Sequence, residues 1–94
     1  MINNITMPKA ALDGISIAGG PIQASASRTK IEGIIPARKD DIVTAHGDSP
    51  HSNPTVATGS GKVNIEGKPA ARSGTDSATC MHEISGGASK VNIG

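Results

Sequence analysis

The sequence predicts an all-β chain made of three short hairpin units arranged with pseudo-threefold symmetry. Three observations carry this. Short strings recur: Lys62-Val63-Asn64-Ile65 returns as Lys90-Val91-Asn92-Ile93, and Ile31-Glu32-Gly33 returns as Ile65-Glu66-Gly67, and self-similarity of this kind marks a repeat architecture. Apolar residues alternate with polar ones, as in a half-buried strand, and no segment holds a 3.6-residue apolar period. The chain has no Phe, Tyr or Trp, so its core must be built from small aliphatic side chains rather than the aromatics that dominate most cores.

In chain order, a weak first unit opens at Pro8-Lys9-Ala10-Ala11, followed by Asp13-Gly14. Ala10 to Ile17 is the nearest candidate for a helix, but Gly14 interrupts it. Ile15 and Ile17 are instead expected to point inward from a strand, and Gly19-Gly20 to turn it. The second unit opens at Pro36-Ala37-Arg38 and the third at Pro69-Ala70-Ala71-Arg72, each soon after an Ile-Glu-Gly string. Proline cannot donate to a ladder, so Pro36 and Pro69 belong at strand ends. Val63/Ile65 and Val91/Ile93 form inward faces, with Gly59-Ser60-Gly61 and Gly86-Gly87 expected as tight turns. The units run over residues 8–35, 36–68 and 69–94 of a single domain. Isolated hairpins are marginal, so such units must pack on one another about an axis, and Ala, Ser, Val and Ile suit a narrow, tapering object.

Ninety-four residues without aromatics make a marginal core, which calls for a staple or a partner. The single cysteine cannot form an internal disulfide, leaving a metal as the available staple. The chain has three histidines and one cysteine, His46, His51, Cys80 and His82. Together they make one closed tetrahedral shell of the kind zinc accepts as a structural clamp. They come in two pairs, His46-x4-His51 and Cys80-x-His82, one pair in each of the last two units, so a shared ion would tie those units together. In an extended segment Cys80 and His82 point to the same side, and Gly47 and Pro50 would let the His46–His51 loop curl back.

A formal net charge of +1 gives no electrostatic case for nucleic acid or anionic membrane. No stretch reaches membrane-spanning length, and Met1 to Thr6 lacks the features of a secretory signal. Gly59-Ser60-Gly61-Lys62 lacks the full phosphate-loop spacing and opens a strand rather than a helix. A nucleic-acid zinc finger would need a base-reading helix. A catalytic zinc would need an open position and a base, for which Glu83 and Asp48 are the nearest acids in sequence. Arg38 and Arg72 are expected to bond turn carbonyls or local acids, Asp40 and Asp76.

Pro69-Ala70-Ala71-Arg72, set between the strand repeats with Cys and His spaced as they are, resembles the PAAR-repeat proteins. The resemblance is specific over residues 36–94 and looser over 8–35. It implies a sharp cone of three hairpin repeats with one structural zinc near the apex, held by His46, His51, Cys80 and His82. It also implies a flat base that caps a trimeric β-helical spike of a phage tail or a type VI secretion machine. The tip would be a non-enzymatic monomer that makes transient contact with a target membrane and leaves the cell, in a virion or through the apparatus, without a signal peptide. The compact form looks somewhat more like a phage tail tip. The alternative is an adaptor that carries a toxin effector, bound non-covalently because the repeats consume the chain. The chain departs from the family pattern in several places. Pro36-Ala37-Arg38 lacks one alanine, Leu12 stands where arginine is usual, and residues 72–76 are one longer than Arg-x-Gly-Asp. Asn64 and Asn92 stand where phenylalanine is common, and Met81 where glycine is frequent.

Overall fold

Where the three proline-led strings stand in the sequence, the chain closes around a ring of peptide hydrogen bonds. Ala37 N–H donates to Ala11 O (2.8 Å), Ala71 N–H to Ala37 O (3.0 Å) and Ala11 N–H to Ala71 O (3.0 Å). Each alanine thus gives and receives once, and all three are buried. Only a side chain as small as a methyl group leaves room for three backbones to meet on one axis. The computed structural model describes residues 8–94. The expectation of a chain start without a secretory signal falls on residues 1–7, which lie outside the described residues.

The symmetry extends outward from the ring. The next N–H in each unit donates to a side-chain oxygen: Leu12 to Ser16 Oγ (2.8 Å), Arg38 to Asp41 Oδ2 (2.8 Å) and Arg72 to Asp76 Oδ2 (2.9 Å). Each turn between contains a left-handed residue, Gly14, Asp40 or Gly74. Their N–H groups donate to Ile22, Val56 and Ile84 carbonyls, whose own N–H groups donate back to Ser16, Asp41 and Asp76. The extra residue in 72–76 therefore matches 12–16, and 38–41 is the short copy. Pro36 takes the place of Ala10 and Ala70, which accounts for the missing alanine.

Regular strand is sparse. β1 (Ile22–Gln23) pairs antiparallel with β2 (Ile42–Val43), and β3 (Asn64–Ile65) with β4 (Lys68–Pro69). Isolated antiparallel bridges link the rest, including Ala10 to Arg72, Leu12 to Pro36 and Arg38 to Ala70. There is no helix among the described residues, and the chain is all-β. The reason is geometric: strands converging on one axis pair for only a residue or two before diverging.

The core follows the same order. One cluster holds Ala11/Ala37/Ala71, Ala18/Val43/Ala78 and Ile22/Val56/Ile84, each a threefold set, together with Cys80. A second, on the opposite side of the ring, contains Leu12, Ala26, Ile65, Ala88 and Ile93, with Val63 and Val91 packed against it. Burying each larger aliphatic side chain stabilises by roughly 1.5–3 kcal/mol, so Leu12, Ile22, Val43, Val56 and Ile84, all fully buried, carry most of the apolar driving force.

Val63, Ile65, Val91 and Ile93 face inward as expected, but Ile15 and Ile17 are 45% and 43% exposed. Ser16 between them is buried instead, because its hydroxyl caps Leu12 N–H and donates to Gly86 O (2.7 Å). A polar residue takes the inward position there because the backbone requires an acceptor. Gly59 and Gly86-Gly87 are likewise not tight turns. At Gly87 a Cβ would lie 2.5 Å from Ala10 O, and at Gly59 2.7 Å from Pro69 Cβ, so these glycines permit close approach of the units.

At the base, residues 31–34 and 65–68 form two-residue hairpins whose central residues, Glu32-Gly33 and Glu66-Gly67, all have positive φ, the signature of type I′ turns. Left-handed backbone costs a non-glycine residue about 1–2 kcal/mol. Here the glutamates are held by their carboxylates. Glu66 accepts the N–H groups of Ser27, Arg28 and Thr29 (each 2.9 Å) and the hydroxyls of Ser27 and Thr29. Glu32 accepts from Ser89 N–H and Oγ and from Lys90 N–H. At the third corner Pro8–Ala10 meets Val91–Ile93, with Ala10 N–H donating to Val91 O (3.0 Å) and Ile93 N–H to Pro8 O (2.7 Å).

Candidate metal centre

At the end opposite the glutamates, three loops of unequal length leave the core: residues 18–20, 43–54 and 78–82, bounded by the bridges Ile17–Pro21, Ile42–Thr55 and Ser77–Glu83. The second carries His46 and His51, the third Cys80 and His82. In the second loop His46 N–H donates to His51 O (3.0 Å) and His51 N–H to Asp48 O (2.6 Å), so the main chain brings both imidazoles to one side. In the third, Met81 N–H donates to Ala78 O (2.9 Å), and Met81 itself has φ of +78°. Cys80 and His82 therefore converge across a left-handed turn rather than along an extended segment. Met81, at the corner of that turn, is 86% exposed.

One donor atom from each of His46, His51, Cys80 and His82 lies within 4.8 Å of the others. The ring centroids of the three histidines are 5.0 Å apart in every pairing, and Cys80 Sγ is 3.6 Å from His46 Nε2. A tetrahedron with bonds of roughly 2.0–2.3 Å has edges of about 3.3–3.8 Å, so this separation is that of two ligands on one ion. His46 Nδ1 lies 2.8 Å from Thr44 O. Donating there leaves Nε2 deprotonated and directed inward, as the outer hydrogen bond of a ligating histidine requires. His51 Nδ1 is buried and has no hydrogen-bond partner among the described residues. A buried lone pair without a donor is costly, and a cation at the centre would satisfy it. Cys80 is buried and free. The group includes neither Glu83 nor Asp48, and four N/S donors complete a tetrahedral shell with no position for substrate. The arrangement can therefore hold a metal ion as a clamp between the second and third units.

The first unit contributes space rather than a ligand. A Cβ at Gly19, whose φ is +87°, would lie 2.3 Å from His46 Nε2 and 2.6 Å from His82 Cδ2, and one at Gly20 2.5 Å from Thr44 O. Sequence reasoning treats Gly19-Gly20 only as a turn. The signal that these glycines pack on the ligands lies in the threefold alignment, which sets this short loop beside the two that carry the ligands.

The motif residues serve the fold. Ala70 and Ala71 are buried, Pro69 ends β4, and Pro36 pairs with Leu12. Arg72 makes a forked pair with the buried Asp76, Nε to Oδ2 at 2.8 Å and Nη2 to Oδ1 at 3.0 Å, and reaches Gly59 O at 3.3 Å. The hydrogen bond to Asp76 raises the pKa of the Arg72 guanidinium above its usual value, against the lowering effect of burial. Arg38 reaches Glu66 O (3.1 Å) and Ser25 Oγ (2.8 Å). Its expected acid, Asp40, instead pairs with Lys68 on the surface at 3.9 Å. Asp40 has a left-handed backbone that turns it outward, and Asp41 takes the buried position.

A family model described as the PAAR motif matches residues 15–75 and, in a second overlapping match, residues 46–94. No curated protein matches the chain.

Proposed function

Because this chain belongs to the PAAR-motif family, we propose that it is the non-enzymatic tip of a contractile injection machine, capping a trimeric β-helical spike and sharpening it for puncture of a target envelope. The observation that carries this is the ring of Ala11, Ala37 and Ala71, which gives one chain an internal threefold. A single copy can then seat on three identical subunits without a gross symmetry mismatch. The metal centre at the far end supports the same reading. His46, His51, Cys80 and His82 would hold one zinc ion, which supplies a cross-link and no catalysis. The cross-link keeps the long 43–54 loop from opening under load.

Two measurements test the proposal. Native mass spectrometry before and after a strong chelator should find one zinc per monomer, with compactness lost on its removal. Mixing the metal-loaded chain with the trimeric spike of the same particle should give one tip per trimer. A complex of three tips per trimer, or no complex, would sink the capping role.

A further inference from the structure

The pseudo-threefold also brings three cations to equivalent positions. Ser60 N–H donates to Ala70 O and Ala88 N–H to Ala10 O; Ala26, which makes no such bond, is their counterpart by position, four residues after Ile22 as Ser60 and Ala88 follow Val56 and Ile84. Two residues further on stand Lys62, Lys90 and Arg28. The backbone N–H of each closes a base segment: Arg28 and Lys90 donate to Glu66 and Glu32 Oε2, and Lys62 to Ser60 Oγ. The clasp uses only main chain at this position, so it places no demand on the side chain. Yet all three side chains are cationic and exposed, and none forms an ion pair among the described residues. The Glu66 and Glu32 oxygens are occupied by main-chain and hydroxyl donors, and Glu32 attracts the Lys90 charge only at longer range, without a direct ion pair. The following positions differ among units (Thr29, Val63 and Val91, then Lys30, Asn64 and Asn92), so sameness of charge is not a general property of the repeat.

A charge repeated three times about an axis, in no direct ion pair among the described residues, matches a surface that presents its own residue three times. We propose that Arg28, Lys62 and Lys90 form a cationic contact ring whose occupant is the end of a C3-symmetric protein trimer presenting one carboxylate per subunit. This rests on the spike-tip reading and deepens it. Rim charges of this kind act mainly on association rate and its salt dependence, so the ring guides one chain into register on its trimer.

The test compares the metal-loaded full chain with R28Q/K62Q/K90Q for binding to the trimeric spike of the same particle, at low and high salt. Neutralisation should slow association at low salt about tenfold and flatten its salt dependence, with circular dichroism and metal content unchanged. The three single variants should share the loss about equally. If the unsubstituted chain does not bind the trimer, the capping role and the ring fail together. Binding of the triple variant as fast as the parent, or a loss confined to one position, would overturn the ring and leave capping intact. Phosphatidylglycerol vesicles are the control. Loss of vesicle binding with spike binding retained would overturn the ring in favour of an anionic lipid surface.

Discussion

The two ends of this molecule close the same pseudo-threefold by opposite means. At the base two of the three corners stay alike, with main-chain donors meeting glutamate carboxylates in equivalent clasps, and the third joins main chain to main chain. At the apex the units diverge. The three loops differ in length, two supply soft ligands and the third supplies glycine. Main-chain bonding repeats whenever the backbone repeats, so the base keeps much of its symmetry at low cost. The four candidate ligands come two each from two of the three loops, so the apex breaks the threefold. The comparison predicts that damage to the apex releases whole loops, whereas damage to the base loosens one corner.

The largest effect should follow loss of the proposed zinc ion. Cys80→Ser, or chelation, removes the cross-link and leaves His51 Nδ1 buried without a partner. Because metal-binding free energy becomes folding free energy in small domains, the midpoint of thermal unfolding should fall by about 20 °C or more. An unchanged melting curve in the metal-free Cys80→Ser variant would remove the staple from the account. Gly19→Ala should come next. It keeps all four ligands but drives a methyl group into His46, and should weaken metal binding about 10- to 100-fold, as read by competition with a chromogenic chelator. Unaltered affinity would mean that the first unit takes no part in shaping the site.

Between the two ends lies the Arg72–Asp76 pair. Asp76→Ala leaves a largely buried guanidinium and the Arg72 and Thr58 donors without their acceptor, and should cost about 2–4 kcal/mol in denaturant unfolding. The first unit already contains the neutral solution, Leu12 over Ser16. The double variant R72L/D76S copies it and should recover at least half of that loss. If the double variant is as unstable as Asp76→Ala, the units are not interchangeable at this layer.

Much of this was legible in the sequence, and the illegible parts share a cause. The repeat strings, the all-β class and the four candidate ligands can be read because each is a matter of residue type and spacing. The burial of Ser16 cannot: hydropathy assigns Ile15 and Ile17 to the core, and only the need of Leu12 N–H for an acceptor reverses it. Nor can the pairing of Asp41 with Arg38 N–H be told from Asp40 by spacing, because one left-handed residue decides which acid turns inward. Gly19, Gly59 and Gly87 read as turn residues in a sequence, where a close approach by another unit leaves no trace.

The smallest effect, and the sharpest for the base, concerns acid. Donors from Ser27 and Arg28 main chain, and then from the Thr29 hydroxyl, hold the Glu66 carboxyl down at about 2 against an ordinary 4.5. The folded state therefore favours the anion. That contribution is fully present above pH 4.5 and is lost as pH falls toward about 2. Glu66→Gln should lower stability at neutral pH, and the two melting curves should converge as acid is added. Glu32, also lowered by its main-chain donors from Lys90 and Ser89, is common to both proteins and cancels in the difference. The local readout is hydrogen exchange at Arg28 and Thr29, whose N–H groups donate to Glu66. Protection there should fall in the variant at neutral pH, while protection at Lys90, clasped by Glu32, should not. Equal losses at both corners would mean that the base opens as one piece, and the contrast between a corner-wise base and an all-or-none apex would fall with it.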